Sequence, residues 1–211
     1  MAKQRRPLRF LSMVLVLGVG LAGGVLFALR GRGVDAKSEP YWIEKQGAHF
    51  LRGWMTPTRY KTMANPVTSS PEVLSAGREH FADHCASCHG NDGSGNTDIG
   101  KSLYPRAPDM RLANTQQLSD GEIFYIIENG VRLTGMPGWG TGTPEGETAS
   151  WQLVHFIRHL PSITLEEIGE MEGMNPRSPT ELQEQKSIDD FLNGGDPPAD
   201  APKPAPHKHP Q

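Results

Sequence analysis

Five residues near the middle of the chain, Cys85-Ala-Ser-Cys88-His89, carry its most specific chemistry. Two thiols three positions apart at a helix C-terminus can reach two neighbouring vinyl groups on the edge of one porphyrin. The next residue then projects an imidazole at the iron from the same turn. The pattern C-x-x-C-H is the attachment signal for c-type haem. Other uses of the two cysteines need company that is absent. A zinc ribbon needs a second pair of ligands, a thioredoxin-like pair needs a βαβ setting, and a Cys85–Cys88 disulfide leaves His89 unexplained. The sequence contains two cysteines in all, and one covalently attached haem c consumes both. Cys85 and Cys88 are therefore expected as the points of attachment and His89 as the first axial ligand.

The second axial ligand is expected from Met136, in Leu133-Thr-Gly-Met136-Pro137-Gly-Trp139. Iron held by His and Met exchanges electrons with little change of ligation, and the thioether raises the potential. Pro137 restrains this loop, while Gly135 and Gly138 let its backbone come close to a planar group. Met110 is the alternative, and Met171 and Met174 are more remote. His155 and His159 fall on a predicted helix and read as packing or surface residues.

These residues need elements to hold them. Gly and Pro together make up about a fifth of the 211 residues, against roughly 12% in ordinary proteins, and 36% are hydrophobic. That composition excludes a large enzyme core and a multi-span membrane protein. It suits a small loop-rich domain whose core is completed by something other than side chains. Residues 1–34 carry six Lys or Arg and no acid, leaving 15 bases against 24 acids in the rest. An acidic body disfavours nucleic acid as a partner, since phosphate selects basic surfaces.

From Phe10 to Leu29 there are twenty residues without a charge. At about 1.5 Å per residue they span a hydrocarbon core of roughly 30 Å. Bases flank the run, which places the N-terminus in the cytoplasm and the rest on the exported face. Residues 1–33 thus read as a membrane anchor, with a cleaved signal peptide as the rival. Residues 34–70 show no clear period and read as an aromatic-containing linker or arm. Residues 71–162 hold the chemistry. Residues 163–195 read as two acidic helices, starting near Thr164 and near Pro179. Residues 196–211 are rich in Pro and Ala and cannot bury a core, so a disordered tail is expected. His207 and His209 there could hold a divalent metal weakly. No internal repeat and no strand-period run of any length stands out.

Residues 71–162 resemble a monohaem class I cytochrome c. Val73, Leu74, Gly77 and Phe81 match the apolar stripe of the family's first helix, and Gly77 and Phe81 match the positions that accept the last helix. Ser119-Asp-Gly-Glu122 reads as a capping box before Ile123–Ile127, with Gly130 as the stop. Ser150-Trp151 to Leu160 corresponds to the last helix, with Trp151, Val154, Phe156 and Ile157 as contacts. The resemblance implies an all-α fold: a small cytochrome c domain around one covalent haem, with an N-terminal transmembrane helix and a C-terminal helical and disordered extension. It implies that a proline carbonyl in Tyr104-Pro105-Arg106-Ala107-Pro108 accepts from the imidazole Nδ1 of the proximal histidine, leaving Pro105 and Pro108 both as candidates. Arg106 and Trp139 are candidate partners of a haem propionate.

With both axial positions filled, no site is open to substrate. The expected function is a membrane-tethered carrier of single electrons between respiratory-type redox partners, not an enzyme by itself. The acidic body implies partners with a basic docking rim. The alternative is a fixed cytochrome c subunit of a larger membrane oxidoreductase such as a terminal oxidase, a nitric oxide reductase or a dehydrogenase. A haem sensor or peroxidase is a third class, which requires Met136 to leave the iron.

Overall fold

The computed structural model describes residues 5–31, 35, 36 and 38–194; the expected tail, with His207 and His209, lies outside the described residues. The described residues are helical, with no strand among them. Helix α1 spans Arg5–Arg30 and is long and apolar enough to cross a membrane over Phe10–Ala28, where none of it is covered by the rest of the chain.

The cytochrome-like segment is built on a helix pair. Helix α4 (Pro71–His80) is started by Ser70, whose hydroxyl accepts from the Val73 amide at 3.2 Å. Helix α9 (Pro144–His159) crosses it in the most extensive helix contact of the molecule. Gly77 sits at the crossing, where the Gln152 carbonyl comes so close that no Cβ fits. Phe81 and Phe156 are fully buried beside it, with ring centroids 5.1 Å apart. All four contact residues expected on the last helix are buried.

Helix α8 (Asp120–Asn129) closes the core from a third side. The capping box expected at Ser119 forms in both directions: the Ser119 amide donates to Glu122 at 2.9 Å, and the Glu122 amide donates to the Ser119 hydroxyl at 3.2 Å. Gly130 ends the helix at a positive φ of 67°. Phe124 stacks on Trp151 at 4.0 Å and ties α8 to α9.

Three features differ from the sequence expectation. Helix α9 begins six residues before Ser150, because Thr143 caps it through the Gly146 amide and Pro144 occupies the first turn, where a proline costs nothing. The arm is partly regular, with α2 over Trp42–Met55 and the short α3 over Thr58–Lys61. Tyr60 of α3 packs on Tyr125 of α8 at 4.8 Å, and the Asn65 amide donates to the Trp151 carbonyl at 3.0 Å.

The first acidic helix, α10 (Leu165–Glu172), is also joined to the core. Met171 is fully buried, Arg78 pairs with Glu170 at 2.7 Å, and His159 meets Glu167 at 2.9 Å. The second acidic helix, α11, spans Pro179–Leu192, as expected. His155 contacts the Val67 carbonyl at 2.8 Å, so both histidines of α9 have structural partners.

The crossing at Gly77 predicts that Gly77→Ala destabilises the haem-loaded protein by about 1–3 kcal/mol, since the backbone facing it cannot yield. Gly169→Ala, on a part of α10 with open space around it, should be neutral or stabilising by about 1 kcal/mol. Denaturant midpoints of the two variants and the parent decide this.

Candidate haem site

Helix α4 does not stop at His80. It continues through a π-helical turn, Phe81–Cys85, into the one-turn helix α5 (Ala86–His89). The extra residue in that turn rotates the end of the helix; such π insertions are frequent at functional sites. As a result Cys85, Cys88 and His89 all line one cavity of about 330 Å³. Gly90 then reverses the chain at φ 73°, and its amide closes on the Ala86 carbonyl at 2.7 Å.

The loop that follows is fastened to the attachment motif. The Gly95 amide donates to the His89 carbonyl at 2.7 Å, and the Thr97 hydroxyl donates to the Cys88 carbonyl at 3.0 Å. Thr97 also caps the short helix α6 (Asp98–Ser102) by accepting from the Gly100 amide at 2.8 Å. The Met110 amide reaches the Gly93 carbonyl at 2.8 Å. This fastening brings Pro105, Arg106, Pro108 and Met110 to the cavity wall.

Both candidate prolines line the cavity, and the Pro108 carbonyl bears on the charge of the His89 imidazole. Burial pushes the His89 imidazole down to about 4, with the Pro108 carbonyl opposing the shift. Neutral imidazole is the form that binds a metal. The buried Nδ1 completes no hydrogen bond to another described residue. The Cys85 thiol is pushed up to about 12, first by burial and then by Cys88. A thiol held protonated is a poor redox nucleophile and a poor zinc ligand. Among the described residues no three His, Cys, Asp or Glu side chains gather as a metal cluster.

Met136 reaches the same cavity from another wall. Its loop leaves α8 at Gly130 and is folded on itself. The Val131 amide donates to the Met136 carbonyl at 3.1 Å, and the Met136 amide donates to the Thr134 hydroxyl at 3.1 Å. The Trp139 amide returns the chain to the Ile127 carbonyl of α8 at 2.9 Å. Gly138 lies so close to the Asn129 and Glu128 backbone that a Cβ would collide. Trp139 lines the cavity and meets His84 edge-on at 5.4 Å. Met110 also lines the cavity but is buried in the core cluster, whereas Met171 belongs to that cluster and Met174 packs against it, and neither lines the cavity.

The rim holds residues that sequence reasoning missed. Lys45, His49 and Arg52 of α2 line the cavity. Their i, i+4, i+7 spacing puts them on one helix face, and that spacing was the available signal. The arm is latched to the Pro105 loop: Tyr104 donates to Glu44 at 2.7 Å, and Arg106 pairs with Glu39 at 2.8 Å. Arg106 thus meets a carboxylate of the chain itself at the cavity rim. Burial lowers the pKa of both His49 and Arg52; Arg52 adds to the shift at His49, and Glu122 opposes the shift at Arg52.

Residues 72–157 match the family model described as cytochrome c oxidase, cbb3-type, subunit III. The cbb3-type cytochrome c oxidase subunit FixP of Rhizobium meliloti (strain 1021) is 42% identical over 103 residues, covering 48% of this chain and 32% of that protein. Its counterpart from Sinorhizobium medicae (strain WSM419) is 50% identical over 81 residues, covering 38% and 26%. Subunit FixPc of Rhizobium leguminosarum bv. viciae is 32% identical over 93 residues, covering 44% and 29%. The chain therefore carries a class I c-type cytochrome domain, all-α and built around one haem-attachment motif. It spans about a third or less of the length of these relatives.

Thr97 holds both Cys88 and α6, so Thr97→Val should cost about 1–2 kcal/mol through the lost cap and the unpaired carbonyl. Thermal unfolding of the haem-loaded protein, followed at the haem absorption, measures it.

Proposed function

We propose that Cys85 and Cys88 hold one haem c through thioether bonds, that His89 and Met136 are its axial ligands, and that the domain passes single electrons on the exported face of a membrane. The observation that carries this reading is the convergence of these four side chains, from two separately fastened segments, on one cavity. The residues fit the group. The walls are largely apolar, the imidazole is buried and neutral, and the Cys85 thiol is not tuned for redox or metal exchange. Haem bound there supplies one-electron exchange at its iron.

The chain's own residues do the rest. Pro108 is assigned as the residue whose carbonyl would accept from the His89 Nδ1 once haem is held, which would fix the tautomer and the ligand basicity. Met136 is favoured over Met110 because of where each loop is fastened. Met110 belongs to the loop that also presents Pro108 to His89, whereas the Met136 loop comes from α8. Met136 would therefore hold the haem from a segment fastened separately from the one that carries His89. Apolar residues such as Leu103, Ile123, Ile126 and Val131 line the cavity and limit water near the iron. Arg106, Trp139, Lys45 and Arg52 line the cavity and are the candidate partners of acidic substituents of the haem, with Arg106 and Lys45 shared with Glu39.

Helix α1 anchors the domain, with the N-terminus on the cytoplasmic side by the distribution of flanking bases. A tether of this kind keeps a carrier at high local concentration near its partners. Partners with a basic rim suit the acidic body. The relatives named above are subunits of cbb3-type oxidases, which supports a second reading in which this chain is a fixed electron-entry subunit of such a complex. Extraction in mild detergent separates the two. Migration near the monomer mass contradicts the subunit, and co-migration with haem or copper proteins contradicts the free carrier.

The ligand assignment predicts that Met136→Ala abolishes the weak sulfur-to-iron absorption at the red end of the ferric spectrum and lowers the potential. Met110→Ala should keep that absorption and instead lose about 2–5 kcal/mol of stability as a core truncation. Loss of the absorption in Met110→Ala alone would reverse the assignment.

A further inference from the structure

Helix α2 has two faces of opposite chemistry. Successive residues on an α-helix turn by about 100°. Lys45, His49 and Arg52 fall on one side and line the cavity rim. Ile43, Phe50 and Trp54 fall on the other, with Gly47 among them, and Leu51 and Met55 beside them. The apolar side is uncovered: Ile43, Phe50 and Trp54 are 72%, 71% and 73% exposed. A helix whose aromatic face turns away from its own domain has that face committed elsewhere.

We infer that helix α2 lies in the membrane interface, its Ile43–Phe50–Trp54 face among the lipid headgroups and upper acyl chains, and that its opposite face holds the haem cavity against the bilayer surface. Three observations favour lipid over a protein partner. The helix follows α1 after eleven residues, 31–41, so its start stays within about 40 Å of the membrane. The apolar face carries Trp54, a residue type most suited to the boundary between headgroup and hydrocarbon, and it is 73% exposed. Its apolar residues run along one side from Ile43 to Trp54 while its polar side meets the domain, the two-faced pattern of a helix that lies in the interface plane. The inference rests on the proposal that α1 spans the membrane.

The cavity is lined by both the rim cations of α2 and the Cys85–His89 wall. An interfacial α2 therefore fixes which edge of the domain faces lipid and which faces a redox partner. The latch residues Glu39, Glu44, Tyr104 and Arg106 transmit that orientation to the domain.

The test uses photochemical capture in the full-length, haem-loaded protein, both in its own membranes and in phosphatidylcholine nanodiscs. p-Benzoylphenylalanine is introduced singly in place of Val16 in α1, Phe50 in α2, or Leu165 in α10, which is 87% exposed. The visible spectrum checks that each variant is loaded. The expected result is lipid attached at position 50 in both settings, at a yield comparable to position 16, with lipid capture lost at position 165. Capture at position 50 of a protein chain in native membranes, without lipid in nanodiscs, overturns the inference in favour of a protein interface. Capture at position 50 no greater than at position 165 also overturns it, placing the face in water. Absence of lipid at position 16 contradicts the spanning anchor instead, so the two failures are told apart.

Discussion

The fold is constrained by a cavity it cannot fill with its own side chains. Helices α8 and α9 turn apolar residues both toward each other and into about 330 Å³ of space bounded by Cys85, Cys88, His89 and Met136. A small domain buries only a modest fraction of its surface and usually needs a staple beyond its own core. A rigid apolar group joined covalently to one wall, as proposed for haem, would supply it. The other features serve that arrangement. The π turn aims the attachment motif, Gly77 lets α9 cross close to it, and the two loops are fastened so that His89 and Met136 arrive from different segments. The burial that keeps His89 neutral follows from the same closure.

Much of this was legible because short-range chemistry specifies it. Ser119, Thr164 and Gly130 announce helix ends through groups within three or four residues of themselves. The Cys85–His89 spacing and the Gly/Pro frame of Met136 are local as well. Which of Pro105 and Pro108 bears on His89 was not legible, since the course of that loop depends on the Gly93–Met110 and His89–Gly95 hydrogen bonds, and no local rule sets that. The early start of α9 was missed because its first turn, Glu145-Gly-Glu-Thr148, is polar and exposed, so apolar periodicity is silent there while the Thr143-Pro144 cap speaks. The burial of Met171 was invisible for a related reason: one methionine in an acidic helix gives no periodic signal.

The arm shows a further limit of pattern reading. Periodicity reveals a helix when its apolar face meets the domain. In α2 the polar face meets the domain and the apolar face does not, so the usual inference inverts. The i, i+4, i+7 cations Lys45, His49 and Arg52 were the legible trace, and they have meaning only once the cavity beside them is known. This helix also separates the chain from a bare class I domain: it joins the segment after the anchor to the rim of the site through Glu39 and Glu44.

The central claim is that His89 and Met136 close both axial positions of one covalently held haem. It is tested most directly by the visible spectrum of the membrane-extracted protein, oxidised and reduced, with and without carbon monoxide. A low-spin spectrum with sulfur-to-iron absorption in the ferric state, and no change when carbon monoxide meets the ferrous state, is the result predicted. A high-spin spectrum or rapid carbon monoxide binding near neutral pH would contradict it, and would make the site one that binds ligands at the iron.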